Sequence, residues 1–149
     1  LPEDTRVLLT RWFDEVWNQN REETMDELMA SDAISHGFPS QGSSSTAKEF
    51  KEAVQQFQRT FSNIHVAIED MLVDGEKAAV RWKASLTHTG DGLGFAPTGD
   101  SIQVAGISIV HLEHGKIIEG WDALDLTTPI DGLRQTAIAR LNSTGAIAS

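Results

Sequence analysis

The sequence predicts an α+β fold in which a curved, mainly antiparallel sheet wraps around N-terminal helices. The apolar period is helical up to Phe61 and changes to 2 from Ile64 onward. Beyond Ile64, long alternating runs are joined by the turn signals Asp74-Gly75 and His114-Gly115, with a glycine-rich loop between them. Helices first and a meandering sheet afterwards are the mark of this class. A sheet curved around helices encloses a cone, and cones hold small ligands. At 149 residues, one domain spanning 1–149 is expected.

Residues 3–18 carry Val7, Leu8, Trp12, Val16 and Trp17 at helical intervals, with Leu9 and Phe13 beside them. Asn18-Gln19-Asn20 breaks this helix, and 21–29 form a short second one. Asp32 to Phe38 reads as a short strand or extended segment, followed by a polar loop from Pro39 to Ser45. Thr46 or Ser45 caps a third helix running to about Phe61, with Phe50, Val54, Phe57 and Phe61 on one stripe. Ile64, Val66, Ile68 and Leu72 then alternate with polar neighbours. The next strand is cleaner. Ala78, Val80, Trp82, Ala84, Leu86 and His88 share one face; Arg81, Lys83, Ser85 and Thr87 share the other. After the loop containing Gly90 to Gly99, residues 101–112 form a strand apolar on both faces, hence central or covered on both sides. Residues 116–125 make the last strand. A terminal helix from about Thr128 to Leu141 puts Leu133, Ala137 and Leu141 in phase, and Asn142 to Ser149 reads as a frayed tail.

Composition narrows the function classes. With 12 Lys+Arg against 22 Asp+Glu, the net charge is −10, so nucleic acid and anionic membranes are poor partners. No apolar run approaches the roughly 20 residues of a spanning helix. The Leu1-Pro2-Glu3-Asp4 start lacks the basic and apolar regions of a signal peptide. The absence of Cys suits the cytosol, and a cytoplasmic protein is expected. Zero Cys removes disulfides, thiolate metal sites and cysteine nucleophiles, and the five His lack ligand spacing, so no metal is expected. Tyr is absent too, which removes mechanisms needing a phenol. No GxGxxG, Walker loop, GxSxG, HExxH or EF-hand loop occurs.

What remains is polar residues where apolar ones are expected. Asp122 lies in Ile117-Ile118-Glu119-Gly120-Trp121-Asp122-Ala123-Leu124, a strand pattern that disfavours Asp. Facing an apolar cavity, its pKa rises and it can take and return a proton. The alternative is a structural carboxylate bonding a nearby amide or Arg. His88 should point where Trp82 points, as a site residue or as a strand-end His bonding the Gly90–Gly99 loop. His36, in Ser35-His36-Gly37-Phe38, faces either the cavity mouth or solvent. His65, His111 and His114 read as surface or turn residues, and Arg81 as a salt-bridging one. Trp12, Trp17, Trp82 and Trp121 are candidate core or pocket walls.

Several segments together resemble the SnoaL-like polyketide cyclases. They are Arg11 to Asn20, Asp26-Glu27-Leu28-Met29, Asp32 through Gly37, Val80-Arg81-Trp82, Thr87-His88-Thr89-Gly90, Pro97-Thr98-Gly99 and Gly115 to Asp122, collinear over roughly residues 5–135. The resemblance implies a nuclear transport factor 2-like cone, usually dimeric or tetrameric. It implies intramolecular aldol closure of a polyketide ring with no metal or organic cofactor. The family's acid/base residue falls on Asp122, and its supporting histidine on the preceding strand falls on Ser108. A dehydratase using an Asp and two His is compatible with Asp122, His36 and His88. Isomerases of the tyrosine type are not, and an epoxide hydrolase's Asp-Arg-Asp relay finds no match. The expected enzyme acts on a small apolar, carbonyl-bearing molecule with Asp122, His88 and His36 as catalytic residues; a non-catalytic binder or assembly domain is the alternative. A homodimer through the outer sheet face is expected from the two apolar faces of 101–112.

Overall fold

A computed structural model describes residues 2–143, with side chains from Asp4 onward. Helix α1 spans Pro2–Trp12 and runs on as a π-helical stretch, Phe13–Asn18. Helix α2 is Glu22–Leu28, strand β1 is Met29–His36 and strand β2 is Ser44–Thr46. Then come α3 (Ala47–Thr60), β3 (Phe61–Asp74), β4 (Lys77–His88), β5 (Ser101–Glu113), β6 (Lys116–Leu124) and α4 (Thr127–Ser143). The six strands form one sheet in the order β2-β1-β6-β5-β4-β3. All neighbours are antiparallel except β1 and β6, which are parallel. Helix α3 packs on both β1 and β3, which lie toward opposite ends of the sheet, so the sheet must curl around it.

The capping signal at Thr46 is present in full. Its backbone N–H donates to Glu49 Oε1 at 2.9 Å, and Glu49 N–H donates to Thr46 Oγ1 at 3.2 Å. Both turns are two-residue links, pairing Asp74 with Lys77 and Glu113 with Lys116. In the second, His114 (φ 52) and Gly115 (φ 75) both adopt positive φ, as the tight hairpin requires.

Several sequence expectations shift for local reasons. The π stretch adds residues to each turn, which rotates Phe13, Val16 and Trp17 inward together. Leu9 is buried on the helix before it, while Val7, expected on the apolar stripe, is 66% exposed. A bulge in β3 between Ile68 and Asp70 flips the alternation, so Met71 turns inward and Leu72 is 68% exposed. Phe61 opens β3 instead of closing α3. The short β2 was not expected. Arg81 forms no ion pair among the described residues. Helix α4 includes Asn142 and Ser143; the rest of the expected frayed tail lies outside the described residues. Leu133 is buried on α4, but Leu141 is exposed. Strand β5 is central as expected, yet its outer face leaves Ile107 and Ile109 about half exposed.

Candidate active site

The inner face of the sheet, the end of α1 with the π stretch, α3 and the segment leading into α4 enclose a cavity. Its walls include Trp12, Phe13, Trp17, Phe38, Phe50 and Trp82, with aliphatic residues from β3 to β6 and Leu126. Trp17 meets Phe38 and Phe57 edge-on, at centroid distances of 5.7 and 5.9 Å, which fixes that end of the wall. Among the described residues of the lining, Ser35, Ser108 and Asp122 alone carry a hydroxyl or carboxyl.

Strand alternation places Asp122. Gly120, Asp122 and Leu124 share the cavity face of β6, and Trp121 and Ala123 face outward. Opposite Asp122 in register is Ser108 on β5. The Trp82 indole N–H donates to Ser108 Oγ at 3.0 Å, and Ser108 Oγ donates to Asp122 Oδ1 at 2.6 Å. The indole can only donate, so the serine proton must point at the carboxylate. One carboxylate oxygen is thereby held; Oδ2 has no protein partner among the described residues. Burial pushes the Asp122 pKa above the usual carboxylate range, and the Ser108 bond offsets part of that rise.

Two glycines make room for this arrangement. A Cβ on Gly106 would lie 2.4 Å from the Trp82 ring, so only glycine lets the indole lie flat against β5. A Cβ on Gly37 would lie 2.1 Å from the Asp122 carbonyl oxygen, and its φ of +89 already favours glycine. The β1 end therefore presses directly on the Asp122 backbone.

The two histidines named from sequence stand away from the cavity. His36 pairs in register with Trp121, so both project from the outer face. Its Nε2 lies 2.7 Å from Glu119 Oε2, its Nδ1 lies 2.9 Å from Ser44 Oγ, and its ring stacks on Trp121. The parallel β1–β6 pairing, which the sequence did not reveal, sets this direction. His88 does share the face of Trp82, but lies beyond the cavity's end, fully buried between Phe61 and Phe95. Its Nδ1 accepts the Thr98 N–H at 3.1 Å, which is the loop-bonding alternative. Trp121 likewise does not line the cavity, in contrast to Trp12, Trp17 and Trp82. His111 packs edge-on against Trp121, while His65 and His114 are exposed. Sequence reasoning missed Ser35, Gly37 and Gly106. The small residues inside Ser35-His36-Gly37-Phe38 and on apolar β5 were the available signal.

Residues 7–133 match the SnoaL-like polyketide cyclase family. The chain belongs to that family. Among solved structures, it is similar to a candidate polyketide cyclase from Acidithiobacillus ferrooxidans, with 24% identity, 90% of this chain and 96% of that one covered, and a TM-score of 0.75. A candidate polyketide cyclase from Bacillus cereus shares 27% identity over 90% and 80% of the two chains, with a TM-score of 0.69. The candidate hydroxylase AclR from Streptomyces galilaeus, at 15% identity, covers 89% and 86% with a TM-score of 0.79. No curated protein matches the sequence significantly. The SnoaL-like architecture is the nuclear transport factor 2-like cone that the resemblance implied. That a candidate hydroxylase shares it shows that the fold leaves the reaction open.

Among the described residues of this SnoaL-like chain, no three His, Asp or Glu side chains are grouped to hold a metal ion. Among the described residues, no helix is long and apolar enough to cross a membrane.

Proposed function

We propose that the chain is a cofactor-independent acid–base enzyme that closes a ring in an apolar, carbonyl-bearing small molecule by intramolecular aldol addition. The observation that carries this reading is the one carboxylate among the described residues of a largely apolar cavity lining, with one oxygen bonded by Ser108 and the other left without a protein partner. Family membership supports it. Asp122 removes a proton from the carbon beside a carbonyl, and the C–H electrons move into the carbonyl to give an enolate. The enolate carbon bonds to a second carbonyl carbon of the same molecule. Asp122 then returns its proton to the new alkoxide and ends as it began. A carboxylate with a raised pKa is a stronger base for the first step. The apolar walls orient the substrate and exclude water. His36 and His88 touch no substrate in this scheme. The outer face, with Ile107 and Ile109 exposed beside Trp121, supports a homodimer built on it.

The test is proton exchange on 2-tetralone, a bicyclic ketone with acidic protons beside its carbonyl, followed by proton NMR in D2O. The wild type should accelerate loss of the C1 protons. Asp122→Asn should cut that acceleration by about 10²- to 10⁴-fold. Equal rates for the two proteins would refute Asp122 as the base.

A further inference from the structure

The structure assigns Ser35 as the hydrogen-bond donor that receives the substrate's carbonyl oxygen as it becomes an enolate. This rests on the acid–base reading of Asp122 and adds the residue that reading lacks. Proton removal beside a carbonyl puts negative charge on its oxygen, and an apolar wall cannot stabilise that charge without a donor. Beside the indoles of Trp12, Trp17 and Trp82, three side chains of the lining carry a hydroxyl or carboxyl. Asp122 is the base. The Ser108 proton is committed to Asp122, and the Trp82 N–H to Ser108. Ser35 is the remaining hydroxyl. It is 8% exposed, lines the cavity and makes no side-chain hydrogen bond among the described residues.

Its position suits the task. Ser35 on β1 is registered beside Gly120 on β6, and Asp122 is the next inward residue along β6. Neighbouring strands lie about 4.8 Å apart and two residues rise about 6.6 Å, so the two Cα atoms are separated by about 8 Å. A carbonyl and its adjacent C–H, bonded at one end to a hydroxyl and at the other to a carboxylate, span a gap of that order. Between them stands Gly120, which has no side chain to block the space. A Cβ added there meets nothing nearer than the Ile109 carbonyl oxygen at 3.8 Å.

The experiment compares Ser35→Ala with wild type using two probes, 2-tetralone and tetralin, which has the same rings without the oxygen. Binding is read by ligand-observed NMR and exchange as above. Ser35→Ala should weaken 2-tetralone binding by about three- to tenfold, the worth of one neutral hydrogen bond, and leave tetralin binding unchanged. Exchange at saturating 2-tetralone should fall by a further tenfold or more, because the bond strengthens as charge develops. Unchanged 2-tetralone binding, or equal weakening of both probes, would overturn the assignment, the second by showing a packing role. If wild type binds 2-tetralone but catalyses no exchange, the acid–base reading fails, and the ratio of the two affinities still decides whether Ser35 grips the oxygen. If neither probe binds, the cavity reading falls and the Ser35 assignment with it.

Discussion

Trp121 and Asp122 are neighbours in the chain and live in opposite chemistries. On the outer face, Trp121 lies between His36 and His111, and both nitrogens of His36 have partners in Glu119 and Ser44. Both ring nitrogens of His36 are thereby satisfied. On the inner face, Asp122 has one protein hydrogen bond, apolar neighbours and a carboxylate oxygen left over. A satisfied polar cluster holds structure, and an incompletely satisfied group in a dry wall is available for chemistry. The contrast supports our proposal that the chemistry lies on the inner face, although the outer face holds more of the residue types usually linked to catalysis.

The sharpest way to break this comparison is Asp122→Asn. Beyond the lost exchange described above, the variant should be more stable than wild type at neutral pH. The sign follows from the raised pKa. The folded chain holds the Asp122 proton more tightly than the unfolded chain does, so ionisation above the unfolded value costs the fold stability. Asn carries no such cost. Its advantage in Tm should be absent below about pH 3, where both carboxyls are protonated, and grow as pH rises through the folded pKa. A Tm lower than wild type at pH 7 would favour a structural carboxylate.

Gly37→Ala comes next. It forces a Cβ against the Asp122 carbonyl in a backbone conformation that alanine dislikes. We expect about 1–3 kcal/mol of lost stability in chemical denaturation, with exchange activity falling more than the loss of folded protein explains. Wild-type activity in a folded Gly37→Ala would show that β1 does not position the carboxylate.

These two residues show what the sequence disclosed. The alternation of β4, the two hairpin turns and the Thr46 cap were plain because each is a local pattern. Asp122 stood out because an Asp in an apolar strand breaks such a pattern. Its direction, and that of His36, depend on which strand lies beside β6, and parallel pairing between β1 and β6 leaves no local trace. The β3 bulge that exposes Leu72 and the π stretch that turns Trp17 inward also insert a residue out of phase, which periodicity cannot register. Ser35 went unseen for a related reason. A serine in a strand is unremarkable until the cavity census shows that few other polar groups are there.

Ser108→Ala should have a smaller, more diagnostic effect. It removes the bond that favours the charged carboxylate, so the Asp122 pKa should climb further. The rise of exchange rate with pH should therefore shift to higher pH. Stability should fall by about 1–3 kcal/mol, because the Trp82 N–H loses its buried partner. A pH profile identical to wild type would disconnect Ser108 from the base. At the small end, His36→Ala should leave exchange within about threefold of wild type, as expected for a residue acting on the far side of the sheet. A loss near that of Asp122→Asn would reverse the assignment of the two faces. Light scattering on the same variant shows whether the outer cluster belongs to a dimer.

The most direct measurement is a carbon-13 NMR titration of the Asp122 side-chain carboxyl in the ligand-free protein, assigned by its loss in Asp122→Asn. Our account predicts a midpoint above the ordinary value of 3.8, since the desolvating wall outweighs the Ser108 hydrogen bond. A midpoint at or below that value would mean a solvated or well-paired carboxylate, and Asp122 would not be the base.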